Sequence, residues 1–357
     1  MTDLCSLRLN SARNAVEIID QTLLPHQLEW LALDCLQAYC ESISNMRVRG
    51  APLIGITAAF GLATALRNDP STHGLNAAKG ALLATRPTAI NLQWALDRVT
   101  SHVLPLEQSR RADAAFECAC SLREQDIESC SSIGEVGRGI LQDLLLDRGS
   151  EQLQVMTHCN AGWLATIEWG TALAPIYKVH EAGVPVHVWV SETRPRNQGA
   201  FLTAWELQRA GVPHTVVADN SCGHLMQQGM VDCVIVGSDR TAANGDVCNK
   251  IGTYLKALSA KANGVPFYTA LPVSTIDWCC TTGADIPIEV RDSGELLSIG
   301  GMDETDTFRQ VRLGGAGSSG HNPAFDITPA ELITGLITER GLIEASSTGL
   351  SRLRSNR

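Results

Sequence analysis

The sequence predicts an α/β protein in which a Rossmann-like parallel sheet forms the C-terminal domain and a β-hairpin with helices forms a smaller N-terminal domain. Two observations support this fold class. Beyond about Asp126, apolar strand patterns alternate with helical patterns, which is the alternation expected of βαβ units. The chain of 357 residues also exceeds the size at which one hydrophobic core usually stops growing. We therefore expect two domains.

The N-terminal domain is predicted to cover residues 1–127. Residues 7–20 contain two apolar stretches separated by polar residues 10–14, which is typical of a β-hairpin. Helical periodicity follows over residues 28–43. Further helices are predicted over residues 53–66, 77–83, 90–103 and 112–122.

The C-terminal domain is predicted to cover residues 128–357, with the boundary near residues 128–134. Its last predicted element is a helix. Residues 328–331 match a capping box with proline at the first helical position, and Gly341 is expected to end the helix.

Polar and reactive side chains follow four apolar strands of the predicted C-terminal sheet. In open parallel sheets, ligands bind outside the carboxyl ends of the strands, at the point where the strand order reverses. We therefore expect an enzyme whose active site is assembled from the loops after these strands. The strands and their following segments are residues 154–156 with 157–162, 186–190 with 191–196, 234–237 with 238–240, and 266–270 with 274–277.

Cys159 and Asp239 are the candidate catalytic residues at these strand ends. A cysteine reacts as the thiolate, and its pKa falls near a helix N-terminus or a cation; the alternative is that Cys159 is a buried core thiol. Asp239 directly follows a buried strand, and partial burial is expected to raise its pKa, which suits a general acid near neutral pH. The structural alternative is that Asp239 pairs with Arg240 or caps the next helix.

Two arginine-flanked helix starts predict a phosphorylated ligand. Arg49, Gly50 and Ala51 come before an apolar helix, whose N-terminus attracts anions, and glycine permits close approach of the backbone. Arg86 precedes Pro87, which suits a first helical turn, and its guanidinium offers a planar fork to phosphate oxygens. The alternative is that both arginines form ordinary surface ion pairs.

Three further polar residues are candidate substrate ligands. Gln198 carries an amide that both donates to and accepts from a hydroxyl. Asn249 and Lys250 precede a predicted helix and offer an amide and an ammonium to substrate oxygens. Each signal is weak by itself. Glu206 and Trp205, by contrast, are expected to pack or pair on the helix that follows Gln198.

The composition argues against two classes of function. The net charge is −10 and there is no long basic run, whereas nucleic-acid binding requires clustered lysine and arginine. No stretch approaches the ~20 apolar residues of a membrane-spanning helix, and the first ten residues do not resemble an export signal. The protein is therefore predicted to be cytoplasmic, with no nucleic-acid or membrane partner.

No metal or diffusible cofactor is predicted. The twelve cysteines are scattered and lack the paired CxxC spacing that favours zinc. Residues 315–320 match GxGxxG, but this fingerprint has meaning only between a strand and a helix, and here Asn322 and Pro323 follow.

Several long segments, in one order, resemble the methylthioribose-1-phosphate isomerase family, which is related to regulatory subunits of the eukaryotic translation-initiation guanine-nucleotide exchange factor. The resemblance covers nearly the whole chain and is highly specific. It is carried by residues 19–25, 46–52, 86–92, 157–162, 192–205, 236–254 and 322–336.

The resemblance implies an enzyme that converts 5-methylthioribose 1-phosphate to 5-methylthioribulose 1-phosphate in methionine salvage. It also implies a homodimer. Cys159 and Asp239 match the catalytic pair of the family. The positions that match its substrate ligands are Arg49, Gly50, Ala51, Arg86, Gln198, Asn249 and Lys250.

The chemistry explains the need for an acid. An anomeric phosphoester blocks ring opening, so a proton must help to break the ring C–O bond before hydrogen moves from C2 to C1, and Asp239 is the candidate acid. Cys159 has two candidate roles, removal of the C2 proton to give an enolate-like intermediate or assistance to a direct hydride shift. Trp163 is expected either to line the pocket for the C5 substituent or to pack against the sheet.

Two alternatives to this function stay open. The first is a related isomerase that acts on 5-deoxyribose 1-phosphate or on ribose 1,5-bisphosphate, the latter requiring a second cationic subsite. The second is a non-catalytic regulatory subunit, which loss of the catalytic cysteine or aspartate would favour. This chain contains both residues.

Overall fold

The first described elements are three antiparallel strands that pair in chain order: β1 (Leu7–Asn10), β2 (Ala15–Ile19) and β3 (Trp30–Leu33). The predicted hairpin of β1 and β2 is confirmed, and residues 11–14 of its turn lie outside the described residues. The computed structural model describes residues 4–10, 15–86, 89–315 and 317–354.

The prediction of one helix over residues 28–43 is wrong. Residues 30–33 pair with β2 as strand β3, and the helix begins only at Leu36. Every residue of β3 is apolar, so periodicity alone does not distinguish a strand from a helix there. The backbone groups along the outer edge of β2 need hydrogen-bond partners, and β3 supplies them.

Helices dominate the rest of the N-terminal part and confirm the other helix predictions, that over residues 90–103 with the predicted bounds and the others with longer ones. Helix α2 is apolar on nearly every face and is therefore buried, packing against the other four. The helices are α1 (Leu36–Ser44), α2 (Ala51–Asn68), α3 (Thr72–Thr85), α4 (Ile90–Val103) and α5 (Gln108–Arg148).

Helix α5 runs through the predicted domain boundary. Ala115 and Leu122, in its first half, belong to the N-terminal core, whereas Ile133 and Leu141, in its second half, pack in the core on one face of the large sheet. Residues 128–134 are therefore helix and not a linker. The division of the chain into domains at residue 127 stays a prediction.

The C-terminal part alternates strands and helices. Its elements are β4 (Leu153–His158), α6 (Ala174–Glu181), β5 (Val186–Ser191), α7 (Ala204–Arg209), β6 (His214–Val217), α8 (Cys222–Gln227), β7 (Cys233–Val236), β8 (Arg240–Ala242), β9 (Val247–Lys250), α9 (Thr253–Ala262), β10 (Phe267–Ala270), β11 (Ile276–Asp277), α10 (Gly294–Leu297), β12 (Ser298–Met302), β13 (Phe308–Arg312), β14 (Phe325–Thr328), β15 (Gly335–Thr338), β16 (Gly341–Ile343) and α11 (Ser347–Arg354).

A large sheet, with the strand order β16-β15-β10-β7-β4-β5-β6 in the described residues, organises this part. All its strands are parallel except β16, which pairs antiparallel with β15. Along β4, Val155 faces the core with α5 and α6, whereas Met156 faces the core with α8 and α9. Helices thus cover both faces, and the α/β fold class is confirmed. The direction in which successive strands are added reverses between β4 and β7.

The predicted helix over residues 328–341 is wrong. Thr328 ends β14, a single 3₁₀ turn follows at Ala330–Leu332, and the chain then enters β15. Residues 335–338 are fully buried beside β10, so the parallel sheet, not the capping pattern, determines their conformation. Gly341 has φ 113° and begins β16 instead of ending a helix.

Two smaller sheets complete the C-terminal part: β11-β8-β9-β14, and the ribbon of β12 with β13. The GxGxxG segment follows this ribbon, and its residue Ala316 lies outside the described residues. Within the described ranges, none of the helices has the length and apolar composition required to cross a membrane.

Candidate active site

One cavity lies where the N-terminus of α2 meets the carboxyl ends of β4 and β7. It is lined by all the residues that the sequence predicted for the site, namely Arg49, Gly50, Ala51, Arg86, Cys159, Gln198, Asp239, Asn249 and Lys250. The structure therefore brings together side chains that are separated by up to two hundred residues in the chain.

The position of Cys159 and Asp239 follows from the sheet topology. Cys159 comes directly after β4, and Asp239 comes shortly after β7. These two strands are neighbours at the point where the strand order reverses, and in open α/β sheets the crevice at that point binds ligands. Both side chains line the same cavity, as is required if they act on one substrate.

The backbone of Cys159 adopts the left-handed conformation, with φ 64°. Two threonines hold it there. The amide N–H of Cys159 donates to Thr193 Oγ1 at 2.8 Å, and Thr203 Oγ1 donates to the Cys159 carbonyl at 2.7 Å. A non-glycine residue in this region costs about 1–3 kcal/mol and persists only where its surroundings enforce it. The strand end therefore aims this side chain into the cavity.

The protonation of Cys159 departs from the expectation of a lowered pKa. Burial raises the pKa of the thiol above its ordinary value, although the charges of Arg49 and Lys250 lower it. The effect of burial is the larger one. Near neutral pH the group is therefore a thiol and not a thiolate.

Asp239 has the pKa direction expected of a general acid. Burial raises the pKa of the carboxyl group, against the lowering effects of Arg86, Arg49 and Lys250. Arg240, the neighbour considered as its structural partner, donates from Nε to Asp277 Oδ2 at 2.8 Å instead.

Gly50 caps the N-terminus of α2 and has φ 91°. A Cβ atom at this position would lie 2.4 Å from the carbonyl oxygen of Ala165, so glycine is required for both conformation and space. The start of α2 is thereby pressed against the turn that follows β4. Ala51, the first residue of α2, lines the cavity, so the N-terminus of this helix borders it.

Arg49 is buried, with only 7% of its surface exposed. Its guanidinium donates from Nη1 to Asn160 Oδ1 and from Nη2 to the Asn160 carbonyl, both at 2.6 Å. Both acceptors are uncharged, so these two bonds leave the positive charge of the guanidinium uncompensated at the cavity. The alternative of an ordinary surface ion pair does not describe Arg49.

Arg86 lies at the C-terminal end of α3 and four residues before α4, so it does not directly begin a helix as predicted. Pro87 and Thr88, on which that prediction depended, lie outside the described residues. Its Nη2 atom is 3.4 Å from Glu289 Oε2. The guanidinium nevertheless lines the cavity.

Lys250 and Asn249 end strand β9, with α9 beginning three residues after Lys250. Lys250 is 4% exposed, and burial lowers its pKa, whereas Cys159 and Asp239 oppose that shift. Asn249 Nδ2 donates to Thr253 Oγ1 at 3.0 Å. Arg49, Arg86 and Lys250 thus bring three of the cationic side chains that border the cavity.

Gln198 precedes a π-helical turn, Gly199–Thr203, a distortion that often occurs at functional sites. Its Oε1 atom is buried and has no hydrogen-bond partner in the described ranges. A buried acceptor without a donor is costly, so a ligand hydroxyl is a suitable partner for it.

The sequence interpretation did not assign three arginines that also line the cavity, Arg196, Arg240 and Arg291. Arg196 and Arg291 both contact Glu295 at 2.7 Å, and Arg291 also contacts Glu289 at 2.8 Å, whereas Arg240 is bonded to Asp277. Arg196 lies in a segment that was recognised after β5, so its position was a usable signal. Arg291 follows a short irregular segment after β11 and carries no comparable signal.

Trp163 does not line this cavity. It is buried in the C-terminal core, with its ring centroid 5.7 Å from that of Trp205, and it borders a separate small cavity with Tyr177. Of the two alternatives for this indole, packing beneath the sheet is the one observed.

Known proteins resemble the chain over nearly its whole length. It matches the initiation factor 2 subunit family over residues 47–345. It is 58% identical over 341 residues to a methylthioribose-1-phosphate isomerase of Methylorubrum populi, covering 95% of this chain and 93% of the relative. It is 55% identical over 345 residues to the enzyme of that name from Rhodospirillum rubrum, covering 95% and 88%.

Two solved structures are also similar. A 5-methylthioribose 1-phosphate isomerase from Pyrococcus horikoshii superposes with a TM-score of 0.85 at 35% identity, covering 99% of this chain and 97% of the other. The delta subunit of the translation initiation factor eIF-2B from A. fulgidus gives a TM-score of 0.78 at 37% identity, covering 96% of each chain.

Proposed function

Because the chain belongs to the initiation factor 2 subunit family and is 58% identical to a methylthioribose-1-phosphate isomerase, we propose that it converts 5-methylthioribose 1-phosphate to 5-methylthioribulose 1-phosphate in methionine salvage. The observation that supports this most directly is the shared cavity. A thiol, an acid with a raised pKa and several cations, among them Arg49, Arg86 and Lys250, line one site at the topological switch point of the sheet.

The cations suit a phosphate group. Arg49, Arg86 and Lys250 offer charge-assisted hydrogen bonds, and the N-terminus of α2 at Gly50 and Ala51 adds backbone donors. We place the sugar between this anion site and Asp239. Gln198 then supplies an acceptor for a sugar hydroxyl.

Asp239 begins the reaction as the acid. It gives its proton to the ring oxygen, the ring C–O bond breaks, and C1 becomes electron-poor. In the hydride route, hydrogen moves with its bonding electrons from C2 to C1, and the C2 hydroxyl proton returns to the Asp239 carboxylate as the ketone forms. The raised pKa of Asp239 favours the first step, since burial increases the fraction of the carboxyl group that carries a proton.

Cys159 fits this route better than the enolate route. A buried thiol is a poor base for a C2 proton, whereas it provides a weakly polar surface beside the migrating hydrogen. Turnover of substrate deuterated at C2 tests this. Retention of the label in the product supports the hydride shift, and exchange of the label into solvent would require the enolate route.

The substrate assignment is tested by comparing turnover of 5-methylthioribose 1-phosphate, 5-deoxyribose 1-phosphate and ribose 1,5-bisphosphate. A bisphosphate needs a second cationic subsite, but the additional arginines, Arg196, Arg240 and Arg291, each contact a carboxylate within 2.8 Å, closer than the 3.4 Å between Arg86 and Glu289. We therefore expect the bisphosphate to be the poorest substrate. A marked preference for it would overturn the assignment.

We also infer a Rossmann-like C-terminal domain from residue 128 onward. The parallel strands in the order β6-β5-β4-β7-β10-β15 correspond to the order of dinucleotide-binding folds, which supports the inference. The homodimer is inferred from the family resemblance, and the cytoplasmic location from the sequence pattern of the first ten residues. Light scattering of the purified protein tests the oligomeric state.

A further inference from the structure

A second carboxylate, that of Glu206 on α7, lies behind the active-site cavity and is completely buried. Its oxygens accept four hydrogen bonds. Asn160 Nδ2 and the Leu164 amide reach Oε1 at 2.7 and 3.0 Å, and the Trp163 amide and Tyr177 hydroxyl reach Oε2 at 2.9 and 2.8 Å. A buried carboxylate is expensive unless it is bonded in this way.

These bonds organise the turn that follows Cys159. Residues 160–164 wrap closely around the carboxylate, so that a Cβ atom at Gly162 would lie 1.9 Å from Glu206 Oε2. Two backbone amides and one side-chain amide of the turn therefore point at a single group. Glu206 therefore adds three hydrogen bonds to the backbone bonds that the turn makes for itself, such as that from the Ala165 amide to the Gly162 carbonyl.

Asn160 connects this carboxylate to Arg49. Its Nδ2 group donates to Glu206 at 2.7 Å and more weakly to Thr203 Oγ1 at 3.2 Å, and these bonds fix the orientation of the amide and direct Oδ1 toward Arg49 Nη1 at 2.6 Å. Asn160 and Arg49 are both buried. If the amide turned over, its NH₂ group would face the guanidinium, and two donors would oppose each other.

We propose that Glu206 is a positioning residue that acts through Asn160 to hold Arg49 in the orientation required for the substrate phosphate. The inference rests on the proposed function, because it takes Arg49 as a phosphate ligand. Glu206 itself does not line the cavity. Its influence on the ligand has two structural routes to Arg49, the Asn160 side chain and the backbone of the turn, which reaches Arg49 through the Asn160 carbonyl. We assign the effect to the side-chain route, which an Asn160 variant removes while the carbonyl stays.

Glu206→Gln tests the proposal. A glutamine offers one acceptor oxygen where the carboxylate has two, so its NH₂ group opposes the Trp163 amide in one orientation, and the Leu164 amide together with Asn160 Nδ2 in the other. Either orientation disturbs the turn that carries Asn160. We expect the Kd for inorganic phosphate, measured by calorimetry on the folded full chain, to rise about tenfold, which is within the range of coupling between networked residues. We expect KM for the sugar phosphate to rise with it.

Asn160→Ala and the double variant separate positioning from general destabilisation. If Glu206 acts through Asn160, Asn160→Ala weakens phosphate binding by itself, and adding Glu206→Gln weakens it no further. Equal effects of Glu206→Gln in both backgrounds would overturn the proposal. So would a parental Kd in either single variant.

Tyr177→Phe is the matched control, because it removes one hydrogen bond to Glu206 without touching Asn160. Its thermal stability is expected to fall, while its Kd for phosphate stays within about twofold of the parent. A Kd as high as that of Glu206→Gln would contradict the proposed connection through Asn160. Phosphate binding does not require turnover, so failure of the isomerase assignment is recognised separately, by an inactive parent that still binds phosphate.

Discussion

At the scale of single residues, two left-handed backbone positions shape the cavity. Gly50, with φ 91°, lets the start of α2 contact the turn at Ala165, and Cys159, with φ 64°, turns its side chain out of β4. Glycine adopts this region freely, whereas Cys159 requires the hydrogen bonds of Thr193 and Thr203. Local backbone geometry thus brings the start of α2, the proposed anion site, and the thiol to the same cavity.

Gly50→Ala is expected to destabilise the protein by about 2 kcal/mol or more, since the new Cβ atom meets the Ala165 backbone at an unfavourable φ. Denaturant unfolding measures this. Gly80→Ala is the control. Gly80 lies within α3, and a Cβ atom added there would meet no described atom within 4 Å, so alanine should stabilise by about 0.5–1 kcal/mol. Equal stability of Gly50→Ala and the parent would show that the contact at Ala165 relaxes without cost.

Cys159→Ala and Asp239→Asn are each expected to lower kcat by about 10²–10⁴-fold, because one loses the thiol beside the reacting carbons and the other loses the acid. Steady-state kinetics measures the effect. The controls are Cys279→Ala and Asp97→Asn, which change an exposed thiol and a carboxylate paired with Lys79 on the helical part. Activity within a few fold of the parent in either cavity variant would refute its catalytic assignment.

At the scale of elements, helix α5 joins the two halves of the chain. It contributes side chains to the N-terminal core and to the core on one face of the large sheet. Asp126, near its middle, is buried and accepts a hydrogen bond from the Ile167 amide at 2.9 Å. Burial raises the pKa of Asp126 to about 7. The carboxyl group is therefore neutral in the folded protein over a range in which it is ionised in the unfolded chain.

This shift predicts a pH-dependent stability. A raised folded pKa stabilises most fully below the unfolded pKa of about 4, and the contribution is lost as the pH rises through about 7. Asp126→Asn keeps an acceptor for Ile167 and removes the titration. The fall in Tm between about pH 5 and pH 8 should accordingly be smaller in this variant than in the parent.

Glu128→Gln, an exposed change on the same helix, is the control and should keep the parental pH dependence. His158, whose pKa burial lowers to about 3, contributes in the opposite direction, but equally in all these variants. An unchanged slope in Asp126→Asn would show that Asp126 is already ionised in the folded protein.

At the scale of the whole molecule, the cavity joins residues from distant parts of the chain. Arg49 and Arg86 come from the helical part, whereas Asp239 and Lys250 come from the end of the large sheet and from β9. A phosphate bound between them would contact both parts. Ligands that bind only the folded state raise its stability by an amount that grows with the ratio of ligand concentration to Kd.

Inorganic phosphate is therefore expected to raise the Tm of the parent, and Arg86→Gln should lose most of that increase. Differential scanning fluorimetry over a phosphate series, at constant ionic strength, measures it. Arg138→Gln, which alters a surface ion pair with Glu135 on α5, should respond like the parent. If phosphate raised the Tm of Arg86→Gln as much as that of the parent, Arg86 would not be a ligand of the phosphate.

Much of this organisation was predictable from the sequence, because it depends on local chemistry. Period-two and helical patterns predicted the hairpin, the helices after residue 50 and the alternation of the large sheet. Strand ends followed by reactive side chains identified Cys159 and Asp239. The capping pattern at residues 328–331 was misleading, since burial of β15 beside β10 outweighed it.

Only the tertiary structure determined what surrounds these residues. Glu206 looked like an ordinary helical carboxylate, and its four donors come from turns and helices that are distant in sequence. The local sequence pattern likewise did not indicate that Arg291 lines the cavity or that Trp163 packs in the core. The physical reason is that burial, desolvation and convergence at a sheet edge depend on which strands become neighbours, and that choice is made by the packing of the whole chain.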